Sequence, residues 1–435
     1  MGKRNRDSRS RPFGFKLMKN FKFKHSNNSR GIAILTVMVS LALMMALVSD
    51  LSTKEITRYK LALNDRDALR AEALAQSGAN FSQLILLVQE PLQGYLTNFA
   101  KMGMQLPAYT VWELMPIDSD LLKGITDGSF MPDFGIGDQQ KDKPVAEKNE
   151  AIETKAKVAL SGPYEAPQGG YGGFEGRFSS EIEDEEKKIS LRRWSKIDFP
   201  KRKIVADQIY RILAKPENTV LFDGSTGDNK NINASQLVGY IYDYLSEDEQ
   251  AVDVTAPAKE WGRNTSGPKR AQYIDTPDIL PKRASPDSLA ELRLVPGMTD
   301  AIYQVLSKYL TIHGESDKIN ILSASDEMLA SVFYLCSKNR DTGPLQRPGF
   351  AEELVTDWNR KKNEGKLEIS TEGVLAHLEE NRVEVDKEEC KSSVGTESKT
   401  FTVKSTATVG NVSKTILMRL RSSGGITTIY QYQYL

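Results

Sequence analysis

The hydrophobic pattern of the chain starts with one long apolar segment near the N-terminus. No charged residue interrupts residues 31–49, which lie between Arg30 and Asp50. A helix of this length is about enough to cross the ~30 Å hydrocarbon core of a bilayer once. The pattern therefore predicts a single transmembrane segment over residues 32–49.

An amphipathic pattern continues beyond this segment, with no proline before Pro91. Apolar or small residues recur at alternating steps of four and three, which is typical of one helix face. They are Leu74, Gly78, Phe81, Ile85 and Val88. We predict one long helix over residues 32–90, and small residues that allow close packing of its second half at Ala68, Ala71, Ala73, Ala75 and Gly78.

The pattern then changes twice along the chain. Residues 204–385 have a helical period, which predicts an all-α domain, with helices at 204–215, 235–246, 287–295, 298–311, 325–337, 350–363 and 372–380. Alternating positions predict a hairpin over 177–194 and three antiparallel strands over 396–435. A sheet this small needs a cover on one face, and the second half of the long helix is the natural partner.

The remaining region, residues 91–203, mixes short elements with a charged insertion near 137–176 that ends in a run of glycines. Such a composition cannot bury much apolar surface. No buried strand precedes the glycines, and no lysine with a serine or threonine follows them at the required spacing, so we do not expect a phosphate-binding loop.

The formal net charge is zero, but its distribution is uneven. Residues 1–30 contain ten Lys or Arg and one acid, whereas the rest contains 48 basic and 57 acidic residues. A basic flank favours retention in the cytoplasm, which places the acidic remainder across the membrane. An acidic remainder argues against nucleic-acid binding. A cleaved secretory signal is the alternative, but its small residues follow a shorter apolar core, and here Gly31 precedes a long one.

No constellation of residues typical of a catalytic centre is found in the sequence. The three histidines, His25, His313 and His377, have no neighbour at zinc-ligand spacing. We therefore expect a protein that is not an enzyme. The two cysteines, Cys336 and Cys390, either pair in an oxidising compartment or remain two free thiols.

Basic residues, then Gly31, then an apolar helix from Ile32 resemble the class III signal of type IV pilins and type II secretion pseudopilins. The resemblance implies that a prepilin peptidase cuts between Gly31 and Ile32 and methylates the new N-terminus. Met18 offers an internal start that would give a leader of more usual length.

The fifth residue after the cleavage point is Thr36, where most of these proteins have glutamate. A carboxylate at that depth needs a partner, and in the family it is thought to pair with the N-terminal amine of the subunit ahead. A subunit with none ahead needs no such charge. The neutral residue at this position resembles pseudopilin K of type II secretion. The alternative is that Thr36 is one of many polar residues tolerated in a membrane helix.

The resemblance to the K family also covers Val295-Pro296-Gly297-Met298-Thr299 and the later Ile319-Asn320-Ile321. It implies an α+β pilin fold with an inserted all-α domain that contains a helix-hairpin-helix-like unit. The implied role is a structural minor pseudopilin at the pseudopilus tip, in contact with minor pseudopilins I and J, further pseudopilins H and G, the prepilin peptidase and membrane lipid. The implied location is the bacterial inner membrane, with a periplasmic C-terminal domain. Alternatives are a minor pilin of a type IV pilus, serving adhesion or DNA uptake, and a signal-anchored periplasmic binding protein or enzyme.

Acidic residues crowd the end of one predicted helix, at Asp243, Glu247, Asp248, Glu249 and Asp253. In the K family, calcium lies near the corresponding stretch, but here Ser246 replaces an aspartate of its motif. Calcium takes six to eight oxygen ligands, which such residues supply. Asp243, Glu247, Asp248 and Asp253 are therefore candidate calcium ligands, and the alternative is a solvated acidic loop.

Overall fold

The computed structural model describes residues 29–101, 110–114, 116–127, 176–192, 194, 199–222, 232–249, 251–252, 279–339 and 342–435. Most of the predicted leader and of the insertion near 137–176 lies outside these residues, as do Met18, His25 and Asp253. The chain divides into two compact units, Met1–Leu63 and Asn64–Leu435, which are described separately.

The first unit consists, in its described part, of the start of the long helix α1 (Ser29–Lys101). Its large apolar side chains are exposed, as at Ile32 (67%), Met38 (67%) and Met45 (71%). The helix is long and apolar enough to cross a membrane. The predicted apolar helix of membrane-spanning length is therefore present, and its apolar surface has no cover within the described chain.

The end predicted for α1 is wrong, because the helix continues through Pro91 to Lys101 rather than stopping at Glu90. A proline inside a helix removes one backbone hydrogen bond, and this usually ends or kinks it. The prediction that the helix ends before Pro91 overestimates the effect of losing this one hydrogen bond.

Nine strands are found in the described residues. They are β1 (Ile117–Asp118), β2 (Arg177–Asp184), β3 (Ile189–Ser190), β4 (Leu310–Thr311), β5 (Ile319–Asn320), β6 (Val394–Gly395), β7 (Thr400–Val409), β8 (Val412–Ser423) and β9 (Ile426–Tyr434). Five form one antiparallel sheet in the order β1-β2-β7-β8-β9. The three predicted C-terminal strands are confirmed, and Gly424 (φ 61°) and Gly425 (φ 74°) make the two-residue turn between the last two.

The second half of α1 covers one face of this sheet, as predicted. Its buried residues pack with apolar residues of β2, β7 and β8; on the helix they are Ala71, Leu74, Ala75, Ala79 and Leu86. At Gly78 the approach is so close that an added Cβ would lie 2.6 Å from Phe178 Cδ2. Two residues assigned to this face are placed elsewhere, because Ala73 is exposed and Val88 is 47% exposed.

The helices of residues 199–393 form a second core, whereas the two short helices before them place Trp112 and Leu122 against the core of the sheet. The described α-helices are α2 (Val111–Leu114), α3 (Ser119–Asp127), α4 (Phe199–Leu213), α5 (Ala234–Leu245), α6 (Asp300–Leu306), α7 (Asp326–Cys336), α8 (Phe350–Asn363), α9 (Thr371–Glu380) and α10 (Lys387–Ser393). The core runs from Ile189 to Val394 and includes Phe333 and Trp358, whose rings meet edge to face at 5.7 Å. We call residues 189–394 the helical region, and α1 from residue 64 with the five-stranded sheet the sheet region. The predicted fold class is confirmed: a long helix on an antiparallel sheet, with a large inserted all-α part.

Two predicted helices are shorter than expected. Residues 287–295 form a 3-10 helix over Leu289–Leu294, and the helix expected over 298–311 covers only Asp300–Leu306. Gly297 (φ 81°) lies in the turn between them. Strand β4 follows the second helix because Leu310–Thr311 pairs in parallel with β3.

The hairpin predicted over residues 177–194 is wrong. Strand β2 pairs with β7, more than 200 residues away along the chain, and β3 pairs with β4. The acidic residues between β2 and β3 form a buried 3-10 helix (Glu185–Lys187) instead of an exposed turn. Alternation identified a strand correctly but could not identify its partner.

The two cysteines form a disulfide, which decides between the alternatives that the sequence left open. Cys336 ends α7 and Cys390 lies in α10, with their Cα atoms 4.3 Å apart. Both residues are fully buried in the core of the helical region.

Candidate functional site

The predicted processing point lies at the start of α1. Gly31 is exposed, and a Cβ added there would meet no atom within 4 Å. Ile32 follows and is also exposed. These positions are open to another protein, and cleavage between them stays a prediction.

Thr36 is satisfied by its own helix. Its Oγ1 hydroxyl donates to the carbonyl oxygen of Ile32 at 2.6 Å and lies 3.2 Å from that of Ala33. This is the usual way a threonine is accommodated inside a helix. Thr36 thus makes no demand for a partner on another chain, which a carboxylate at this position would make.

The candidate calcium ligands have other partners in the structure. Asp243 is fully buried, and its two carboxylate oxygens accept the N–H of Val252 at 3.2 and 3.3 Å. Asp248 pairs with Arg202 at 3.2 Å, and Glu247 is exposed. Among the described residues no group of three or more His, Cys, Asp or Glu side chains could hold a metal ion. Because Asp253 lies outside those residues, calcium binding by this loop stays a prediction.

The structure brings together a set of acids that the sequence did not single out. Asp184, Glu185 and Glu186 are only 1%, 4% and 2% exposed. We call these three residues the carboxylate joint. Each of them accepts a hydrogen bond from the helical region and another from residues 398–402, which comprise the start of β7 and the connector before it. Charged side chains of this kind are rarely buried in proteins without a partner.

Asp184 begins the joint at the end of β2. Its Oδ2 accepts hydrogen bonds from Asn320 Nδ2 at 3.0 Å and from the hydroxyl of Ser323, both in the helical region. The same oxygen accepts the hydroxyl of Ser398, which lies just before β7. Its Oδ1 accepts the N–H of Glu186 at 2.9 Å and caps the short 3-10 helix.

Glu185 and Glu186 repeat this arrangement with different donors. Glu185 accepts the hydroxyl of Thr311 in β4 on one oxygen and that of Thr402 in β7 on the other. Glu186 accepts the N–H of Glu315 at 3.3 Å and the N–H of Thr400 at 3.0 Å. Both carboxylates therefore connect the two regions directly.

Burial controls the ionisation of the joint. Burial raises the pKa of Asp184, and it raises the pKa of Glu186 to about 7. The negative charge of Asp184 also raises the pKa of Glu186. The hydrogen bonds from backbone N–H groups act in the opposite direction. Burial also lowers the pKa of the neighbouring His313, helped by Arg419, and raises the pKa of Tyr430 to about 12.

Little in the sequence indicates this cluster. The run Glu181-Ile182-Glu183-Asp184-Glu185-Glu186-Lys187-Lys188 has the composition of a solvated turn. Its donors are single Ser, Thr and Asn residues between positions 311 and 402, so no local spacing connects them. Only the long-range pairing of β2 with β7 shows that the acids are buried.

Comparison with solved structures finds a structural similarity. No family model matches the chain, and no curated protein matches it. A chain from the crystal structure of the GspK-GspI-GspJ complex of the enterotoxigenic Escherichia coli type 2 secretion system is similar to it, with 15% identity and a TM-score of 0.38. The match covers 60% of this chain and 80% of that one. We draw no functional conclusion from a similarity at this level.

Proposed function

We propose that the chain is a structural subunit of the pseudopilin type, held in the inner membrane by the first part of α1. The observation that carries the proposal is that the two parts of this one helix differ in exposure and in packing. Its first part exposes apolar side chains at membrane-spanning length, and its second part covers an antiparallel sheet made from the C-terminal strands. A helix that serves both purposes suits a subunit that leaves the bilayer to join a filament.

The proposed place of this subunit is the tip of the pseudopilus, as a minor pseudopilin of the K type. Support comes from Thr36, whose hydroxyl is satisfied within α1 and needs no partner subunit ahead. The large helical region supports it too, because a subunit with so much additional bulk is hard to repeat along a thin filament. The partners that we propose are minor pseudopilins I and J at the tip, pseudopilins H and G below it, and the prepilin peptidase before assembly.

The proposed topology puts the second unit in the periplasm. The disulfide between Cys336 and Cys390 supports this location, because such bonds form and persist in oxidising compartments. The role is structural rather than catalytic in this proposal, and membrane lipid surrounds the first part of α1 until the subunit is assembled.

Thr36→Glu tests the tip position in cells that depend on this protein for secretion. A tip subunit has no amine ahead of it, so the new carboxylate stays unpaired in hydrocarbon and costs up to about 3 kcal/mol. We expect reduced secretion at equal protein levels. Ser40→Glu is the matched control, since Ser40 lies one turn further along and also donates to its own helix, at 2.9 Å. We expect a similar or larger defect from it.

The opposite pattern would contradict the tip position. A subunit from the body of the filament would gain a partner for Glu at position 36, so secretion would improve with Thr36→Glu and still fall with Ser40→Glu. Immunogold labelling of overproduced filaments provides an independent readout. We expect label at one end only, and label spaced along the filament would exclude the tip position.

A further inference from the structure

The carboxylate joint lies where the two regions of the second unit meet. The sheet region and the helical region have separate hydrophobic cores, and the joint supplies hydrogen bonds that connect them. Donors from the helical region are Thr311, Asn320, Ser323 and the N–H of Glu315. Donors from the sheet region and its connector are Ser398, Thr402 and the N–H of Thr400.

Every described hydrogen bond to these three carboxylates comes from a neutral group. The donors are hydroxyls, one side-chain amide and backbone N–H groups. Neutral donors stabilise a buried carboxylate less than a cation does, and they do not cancel the repulsion between neighbouring negative charges. Full negative charges on both Asp184 and Glu186 are therefore unfavourable, and a proton on one of them relieves the repulsion.

The charged groups around the joint are engaged elsewhere. Lys188 pairs with Glu183 at 2.8 Å. The carboxylate of Glu315 pairs with Arg421 at 2.6 Å and with Arg192 at 3.3 Å. His313 after β4 and Tyr430 in β9 also face the joint, since both interact electrostatically with Glu185, and Arg419 in β8 interacts with each of them.

We propose that the carboxylate joint is a proton-dependent connection between the sheet region and the helical region. With one proton bound, the joint holds the two regions together. When Asp184 and Glu186 are both ionised, their repulsion loosens the hydrogen bonds to the helical region while both hydrophobic cores stay intact. The inference goes beyond the proposed function and does not depend on it.

The direction of the pH effect follows from the pKa of Glu186, which is about 7 in the folded protein and about 4.5 when the side chain is free. A raised carboxyl pKa means that the closed joint binds a proton more tightly than the open one. Its contribution to stability is complete below the pKa of the free side chain and is lost as pH rises through about 7. The joint is therefore closed in mild acid and weakened in mild alkali.

Hydrogen–deuterium exchange of the full chain in detergent micelles tests this directly. The backbone N–H groups of Glu315 and Thr400 both donate to Glu186, so peptides that contain them report whether the joint is closed. After correction for intrinsic exchange rates, we expect their protection to fall roughly 25-fold between about pH 5.5 and about pH 8. Protection across Phe350–Asn363, in the helical core, should stay constant.

Two variants assign the effect to the joint. Glu186→Gln removes the carboxyl group whose pKa is about 7, so the fall in protection at Glu315 and Thr400 between about pH 5.5 and about pH 8 should be much smaller than in the wild-type protein. Asp184→Asn removes the neighbouring charge and should move the change to lower pH. Glu181→Gln, an exposed acid on β2, is the matched control and should keep the wild-type response. A flat response in the wild-type protein, or an unchanged response in Glu186→Gln, would overturn the proposal.

Discussion

At the scale of single residues, Gly78 sets how closely α1 approaches the sheet. A Cβ at this position would lie 2.6 Å from Phe178 Cδ2 and 2.8 Å from Ser180 Oγ. Beside it, the hydroxyl of Ser180 in β2 donates a hydrogen bond to the hydroxyl oxygen of Ser405 in β7, with an O–O distance of 2.8 Å. Glycine is therefore required here for close packing, although it is a poor helix former.

Gly78→Ala separates packing from helix propensity, because the two act in opposite directions. Propensity alone stabilises the helix by about 1 kcal/mol, whereas overpacking costs about 1–3 kcal/mol. We expect a net loss of up to about 2 kcal/mol in the free energy of unfolding, measured by denaturant titration of the protein in detergent. The control is Ser77→Ala, at an exposed neighbouring position, which should be neutral or slightly stabilising. A gain in stability from Gly78→Ala would mean that the helix does not approach the sheet this closely.

The same scale shows the limit of reasoning from the sequence. The helical pattern predicts small residues on the packed face of α1, but Ala73, which it assigns to this face, is exposed. A helical pattern defines a stripe only to within one residue, and here Ala71, Ala75 and Ala79 form it. The polar residues of the carboxylate joint had no local pattern, so their burial could not be predicted.

At the scale of elements, local signals were reliable and long-range ones were not. The C-terminal strands could be predicted because each alternates and because Gly424 and Gly425 have the positive φ values of a tight turn. Strand β2 was also recognised, but its partner β7 lies more than 200 residues away. Alternating apolar and polar positions do not indicate which strands pair. The prediction of a hairpin between β2 and the next strand along the chain is therefore wrong.

The disulfide joins two such elements, α7 and α10, across 54 residues. Closing a loop of this length stabilises a fold by roughly 2–4 kcal/mol. We expect Cys336→Ala and Cys390→Ala each to lower the free energy of unfolding by about that amount, and the double variant to lose little more, because either change already removes the bond. Thermal unfolding with and without a reductant measures this. Reductant should lower the melting temperature of the wild-type protein and leave the double variant unchanged, whereas additive losses in the two single variants would contradict a shared bond.

At the scale of the whole molecule, the chain combines an exposed apolar helix with a second compact unit that has buried hydrophobic cores. The sheet region has its core between α1 and β2, β7 and β8, and the helical region has its own core. The fold class could be predicted because the period of the hydrophobic positions and the length of each segment can be read directly from the sequence. The contacts between the two regions could not, since they depend on isolated polar residues that meet only after folding.

The central claim is that α1 is a processed N-terminal helix that first anchors the protein and then joins a filament. Mass spectrometry of the intact protein from membranes of cells that contain the prepilin peptidase tests it most directly. We predict an N-terminus at Ile32 carrying one methyl group, with the apolar residues 32–49 retained. An N-terminus well upstream of Gly31, or one beyond residue 49, would contradict the account.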